Sequence, residues 1–157
     1  MLWFDDKAEE AANMYVSIFK NSKLGNIARY GESGSEVSGV PQGKVMTVEF
    51  ELDGQHFTAL NGGPIFTFTE AVSFVIDCKD QVEVDEMWDK LLAGGGQPGQ
   101  CGWLKDKFGL SWQVVPEALG DLMSSGTPEQ SERVMAAMLT MTKMNVAELQ
   151  AAYDGAA

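Results

Sequence analysis

The sharpest periodicity in the chain runs from Lys44 to Leu52, where Met46, Val48, Phe50 and Leu52 alternate with Val45, Thr47, Glu49 and Glu51. A period of two marks a strand with one buried face. Asp53-Gly54 follows, a pair suited to a two-residue hairpin, so His56 to Asn61 is predicted to return as a strand. Upstream, Leu2 to Phe4 reads as a short apolar strand. Ala8, Ala11, Ala12, Tyr15, Val16 and Phe19 then recur at helical spacing. Asp6-Lys7-Ala8-Glu9 has the form of a capping box, and the helix is predicted to run to about Lys20. Leu24 to Tyr30 reads as a strand. Gly31 to Gly43, rich in Gly and Ser with no periodicity, reads as a loop.

The same order recurs downstream. Ala71 to Ile76 is predicted as a strand, and Asp80-Gln81-Val82-Glu83 as a second capping box. Val84, Met87, Trp88, Leu91 and Leu92 mark a helix that stops at Gly94-Gly95-Gly96. Cys101 to Lys105 and Ser111 to Val115 are predicted strands around a turn at Asp106 to Gly109. The chain therefore reads as one α+β domain made by duplication of a βαβββ unit, about residues 1–63 and 70–116, with 117–157 as a helical extension. In that extension Thr127-Pro128-Glu129-Gln130 and Asn145-Val146-Ala147-Glu148 open helices. Met135, Met138, Met141 and Met144 fall at a spacing of three, which suits core or dimer packing.

Composition narrows the partners. The formal net charge is −12, and the eleven Lys and Arg form no run, which argues against nucleic acid and anionic membrane surfaces. No apolar stretch could span a bilayer, and Met1 to Asp6 does not resemble a signal peptide, so the expected location is the cytoplasm. Cys78 and Cys101 are expected as free thiols. With His56 as the single histidine, Cys/His zinc sites are nearly excluded.

Leu2-Trp3-Phe4-Asp5, Ala8-Glu9-Glu10-Ala11 and Tyr15 resemble the PhnB-like family of the vicinal oxygen chelate superfamily, which holds glyoxalases, bleomycin-resistance proteins and extradiol dioxygenases. Thr47-Val48-Glu49-Phe50, Leu60-Asn61-Gly62-Gly63-Pro64, Cys101-Gly102-Trp103-Leu104-Lys105-Asp106 and Gly109-Leu110-Ser111-Trp112-Gln113-Val114-Val115-Pro116 extend the resemblance, as does Ala137-Met138-Leu139-Thr140-Met141. The resemblance implies two βαβββ modules forming a curved mixed sheet, helices on its convex face, a cavity in its concave face, and a homodimer. Strand alternation then puts Met46, Val48, Phe50, Leu52 and Trp112 towards the helices. Thr47, Glu49, Asn61, Ser73, Trp103 and Gln113 become the cavity candidates.

Metal-using members of the superfamily resemble one another in carrying His, Gln and Glu ligands on several strands. Carried across by position, this chain offers Gln113 and Asn61, and Leu2, Trp3, Phe4 and Ala71 to Ile76 supply no ligand. Neutral amides bring no charge to offset dehydration of a cation, so no metal or other cofactor is expected. Glu49 is the candidate for proton transfer if a cavity encloses it; pairing with Lys105 or Arg29 is the alternative. His56 lacks an evident acidic orienter, and Cys101 could be activated by Lys105 on the same strand face or simply be packed. Members of the family often carry a demethylubiquinone methyltransferase label. The Gly94 to Gly99 run follows a helix instead of leading into one, so it does not make an adenosylmethionine-binding βαβ unit. Three readings stay open: a metal-free small-molecule-binding protein, an enzyme of unnamed substrate using Glu49 or His56, and a dimeric interaction protein acting through its C-terminal helices.

Overall fold

The hairpin at Asp53-Gly54 anchors the first half of the computed structural model, which describes residues 1–156. Both residues take positive φ, 45° and 81°, as a tight strand reversal requires. The chain divides into two compact units, Met1–Phe68 and the part from Thr69 onward. Ala157, the last residue of the predicted extension, lies outside the described residues.

The first unit runs β1 (Leu2–Phe4), α1 (Ala8–Ile18), β2 (Lys23–Arg29), α2 (Glu32–Ser38), β3 (Val45–Leu52) and β4 (Gln55–Asn61). Its sheet has the order β1-β4-β3-β2, with β1 parallel to β4 and the other pairs antiparallel. Alternation on β3 turns Val48, Phe50 and Leu52 into the core beneath α1, where Tyr15 lies 6.2 Å from Phe50 between ring centroids. Ala8, Ala11, Ala12, Tyr15 and Ile18 form the buried face of α1, and the helix stops at Ile18, one turn's fraction short of the expected Lys20.

Two local expectations are overturned here. Asp6 does not cap α1. The N-cap is Lys7 and makes no side-chain bond; instead Asn61 Oδ1 accepts from Ala8 N at 2.8 Å. Parallel pairing puts Phe4 beside Asn61, so the end of β4 reaches the entrance of α1. The second correction is α2, which occupies part of the predicted loop. None of its residues is buried, so no apolar period could betray it, and Gly39 closes it at φ 73°.

The second unit runs β5 (Ser73–Cys78), α3 (Gln81–Leu92), β6 (Gln97–Pro98), β7 (Trp103–Lys105) and β8 (Ser111–Pro116), then α4 (Glu117–Ser125), α5 (Pro128–Thr140) and α6 (Val146–Asp154). The sheet order β5-β8-β7-β6 repeats the first topology, again with first and last strands parallel. Asp80 caps α3 by accepting from Glu83 N at 2.9 Å. Val84, Met87, Trp88 and Leu91 pack on the sheet, whose Leu104, Trp112 and Val114 are also buried. The architecture is α+β, two βαβββ modules followed by helices, as expected.

The C-terminal helices are bonded into this second unit. Thr127 and Gln130 complete a capping box on α5. Cys101 N and Gly102 N each donate, at 2.8 Å, to Met141 O and Thr142 O. Gln81 donates to Met144 O and accepts from Val146 N. Met141 and Met144 are buried but lie beyond the end of α5, so the expected helical stripe of methionines is broken at its C-cap. Among the described residues no helix is long and apolar enough to cross a membrane.

Candidate functional site

On β8, Trp112, Val114 and Pro116 point to the helix-covered side, which leaves Ser111, Gln113 and Val115 on the open face. Antiparallel register sets Trp103 opposite Gln113 and Lys105 opposite Ser111, and Gln97 of β6 lies opposite Lys105. Parallel register adds Ser73, opposite Ser111. One sheet face therefore collects an indole, an ammonium, two amides and two hydroxyls.

Two residues outside the face hold it in place. A Cβ on Gly102 would stand 2.7 Å from Val114 O, so the chain entering β7 can approach β8 only without a side chain there. Asp106, 3% exposed, accepts from Phe108 N, Leu110 N and Trp112 Nε1 at 2.8, 3.1 and 2.9 Å. This carboxylate ties the turn between β7 and β8 and so fixes the Lys105–Ser111 register.

A cavity of about 220 Å³ opens on this face, walled by Glu70, Gln97, Gly99, Trp103, Lys105 and Ser111 with two apolar neighbours. Ser111 is 1% exposed, and among the described residues its Oγ is the buried side-chain oxygen left without a hydrogen-bond partner. A buried hydroxyl without a partner costs free energy, which is why such groups are rare outside sites that receive a ligand or water. Lys105 Nζ pairs with the Glu70 carboxylate. The hydrogen bond from Lys105, helped by Glu70's own backbone, holds the Glu70 carboxyl below its usual range.

Of the predicted residues, Trp103 lines this cavity, and Ser73 and Gln113 share its sheet face, joined by Gln113 Nε2 donating to Ser73 Oγ at 2.9 Å. Thr47, Glu49 and Asn61 belong to the first unit. Thr47 is half-buried beside Leu60, and Glu49 is exposed beside Thr58, so the enclosed carboxylate expected at Glu49 is absent. Lys105 pairs with Glu70, and Arg29 Nη1 donates to Gly43 O. Asn61 has a structural occupation: besides capping α1 it donates to Val45 O at 3.1 Å, and its own carbonyl accepts from Tyr30 Oη at 2.6 Å. It also borders a first-unit cavity of about 610 Å³ whose polar wall is Asp5, Asp6, Glu9, Arg29 and Lys44.

His56 does have an acidic neighbour: Glu51 lies opposite it, Oε2 to Nδ1 3.8 Å, although the imidazole is 86% exposed. Cys101 sits in a turn at φ 56°, before β7 begins, so it does not share a strand face with Lys105. Burial, then the nearby acids Glu83 and Asp77, push the Cys78 thiol up to about 12. Sequence reading missed Ser111, Gln97 and Glu70. Ser111 was reachable, since it alternates in step with Gln113; nothing in the sequence around Glu70 signals its partner.

The residues do not suit a divalent cation. Asn61 Oδ1 is taken by Ala8 N, the Gln113 amide is neutral, and among the described residues no three His, Cys, Asp or Glu side chains converge.

The family described as 3-demethylubiquinone-9 3-methyltransferase matches residues 1–115. A solved structure from Bacillus cereus, provisionally described as a 3-demethylubiquinone-9 3-methyltransferase, PhnB protein, is 36% identical, with 73% of this chain and 95% of that chain covered and a TM-score of 0.64. Protein PA1353 from Pseudomonas aeruginosa is 20% identical over 74% of this chain and 93% of its own, with a TM-score of 0.58, and shares the fold. No curated protein matches. Topology, motifs and these matches agree that the chain belongs to the PhnB-like family, the one described as 3-demethylubiquinone-9 3-methyltransferase.

Proposed function

We propose that the chain is a small-molecule-binding protein that takes its ligand on the open face of the second sheet and does so without a metal. The observation that carries this reading is the unpartnered, buried Ser111 Oγ in the wall of a cavity that also presents Lys105, Gln97 and Trp103. A concave site where a few polar groups converge beside an aromatic side chain suits a small molecule. Trp103 offers a flat surface, and the amides and the hydroxyl fix orientation. The metal-free part rests on the amide donors at Gln113 and Asn61, which bring no charge to a cation.

Native mass spectrometry of protein purified without chelator tests the metal, the retained molecule and the homodimer together. The expected spectrum has no stoichiometric metal and two copies per particle; bound metal overturns the metal-free reading, and a monomer overturns the dimer. An amide-resolved titration with small aromatic fragments tests the site. Shifts are expected at Trp103, Lys105 and Ser111, and fragments that move only other residues overturn it. Methyl transfer is not part of the proposal, because no strand–glycine loop–helix unit for adenosylmethionine is present in the described residues. Calorimetric titration with adenosylmethionine is expected to give no binding heat.

A further inference from the structure

We propose that the second-unit cavity is a carboxylate site, and that in the free protein Glu70, on its wall, pairs with its cation as an internal stand-in for the ligand. This rests on the binding role given above and adds the chemical class of what is bound. Lys105 is the cavity's cation, with its side chain 36% exposed, and Ser111 stands directly across from it in the β7–β8 pair. Side chains opposite one another in such a pair lie close enough to grip one small group together. An ammonium and a hydroxyl donor side by side form a recognition pair for a carboxylate, which accepts from both.

Glu70 satisfies half of that pair. Its carboxylate reaches Lys105 from a segment before β5, and its side chain is 60% exposed. Ser111 Oγ is left without a partner. The depressed Glu70 carboxyl stays ionised at neutral pH and so remains in place. An ion pair this exposed contributes little to stability, so replacing Glu70 by an outside carboxylate gives up little. The incoming group gains what Glu70 does not supply: a hydrogen bond from Ser111 and a flat apolar contact with Trp103. The ligand class is therefore a carboxylate on a flat or apolar body, and Glu70 acts as a latch that sets the threshold for entry.

The test uses the full-length chain titrated with benzoate and with benzamide, its neutral isostere, followed by Trp fluorescence and amide shifts. Benzoate is expected to bind about tenfold tighter than benzamide, as a charge-assisted bond requires. Glu70→Gln is expected to tighten benzoate severalfold and benzamide less. Lys105→Met is expected to erase the difference between the two probes, and Ser111→Ala to weaken benzoate about tenfold. Circular dichroism and a cooperative urea unfolding transition report that each variant is folded. Equal binding of both probes at Trp103 keeps the small-molecule reading and overturns the carboxylate assignment. Weaker benzoate binding in Glu70→Gln overturns the latch. No binding of either probe, in the wild type and in Glu70→Gln, overturns both the inference and the reading beneath it.

Discussion

The two modules share a strand order but solve its problems differently. In the first, β2 and β3 are seven and eight residues long; in the second, β6 and β7 have two and three. The first helix is capped from a distant strand by Asn61, the second by its own Asp80. The open face of the first sheet carries Glu49, Glu51, Lys23 and His56, with Lys23 and His56 both drawn to Glu51. The open face of the second carries Ser111, Lys105 and Trp103 around a cavity. What the two modules share is the parallel pairing of first and last strands, which a crossover helix makes possible. What it leaves free is hairpin length, and the short β6–β7 pair lets Gly99 and Glu70 reach the cavity wall where longer strands would run.

Removing everything after Pro116 should break this comparison most severely. The second unit would lose the carbonyl partners of Cys101 and Gly102 and the buried Val134, Met144 and Leu149. Its amides should lose hydrogen-exchange protection while those of β3 and β4 keep theirs. Next, Asn61→Ala should cost about 2–3 kcal/mol in urea unfolding, because it strands buried groups at Ala8 and Val45. Asp80→Ala should cost about 1 kcal/mol, the ordinary loss of a local cap. Equal costs would mean that the two helices are held alike. Ser111→Ala should be neutral or stabilising by about 1 kcal/mol in the free protein, since it removes a hydroxyl that has no partner. A clear loss of stability would show that the hydroxyl is structural. The smallest effect is chemical: iodoacetamide near pH 8 should label the part-exposed Cys101 and spare Cys78 until the chain is unfolded. The folded Cys78 thiol lies above its unfolded value of about 8.5. The stability that it contributes is therefore complete below that pH and is lost as pH rises towards about 12.

Periodicity revealed most of the fold because α1, β3 and α3 each bury one face. The alternation of β3, the Asp53-Gly54 turn and the α1 and α3 faces are all local patterns. Where no face is buried, or the element is too short to repeat, the pattern fails: α2 has no core side and β6 has two residues. The cap on α1 was misread for another reason, since the oxygen that replaces Asp6 comes from β4. The site divides in the same way. Trp103, Ser73 and Gln113 follow from strand alternation, and Ser111 follows with them once the face is known. That Ser111 is buried without a partner, or that Lys105 chooses Glu70, depends on tertiary packing that one sequence does not display.

The loop after β4 holds a tight mutual fit. Trp3 Nε1 donates to Gly63 O at 2.8 Å, and a Cβ added at Gly62 would come within 2.2 Å of the Trp3 ring. The two positions act as lock and ward. A larger residue at 62 can be admitted only if 3 gives up its indole, so in a collection of relatives the pair should change in concert, and Gly62→Ala should be rescued by trimming Trp3 to leucine.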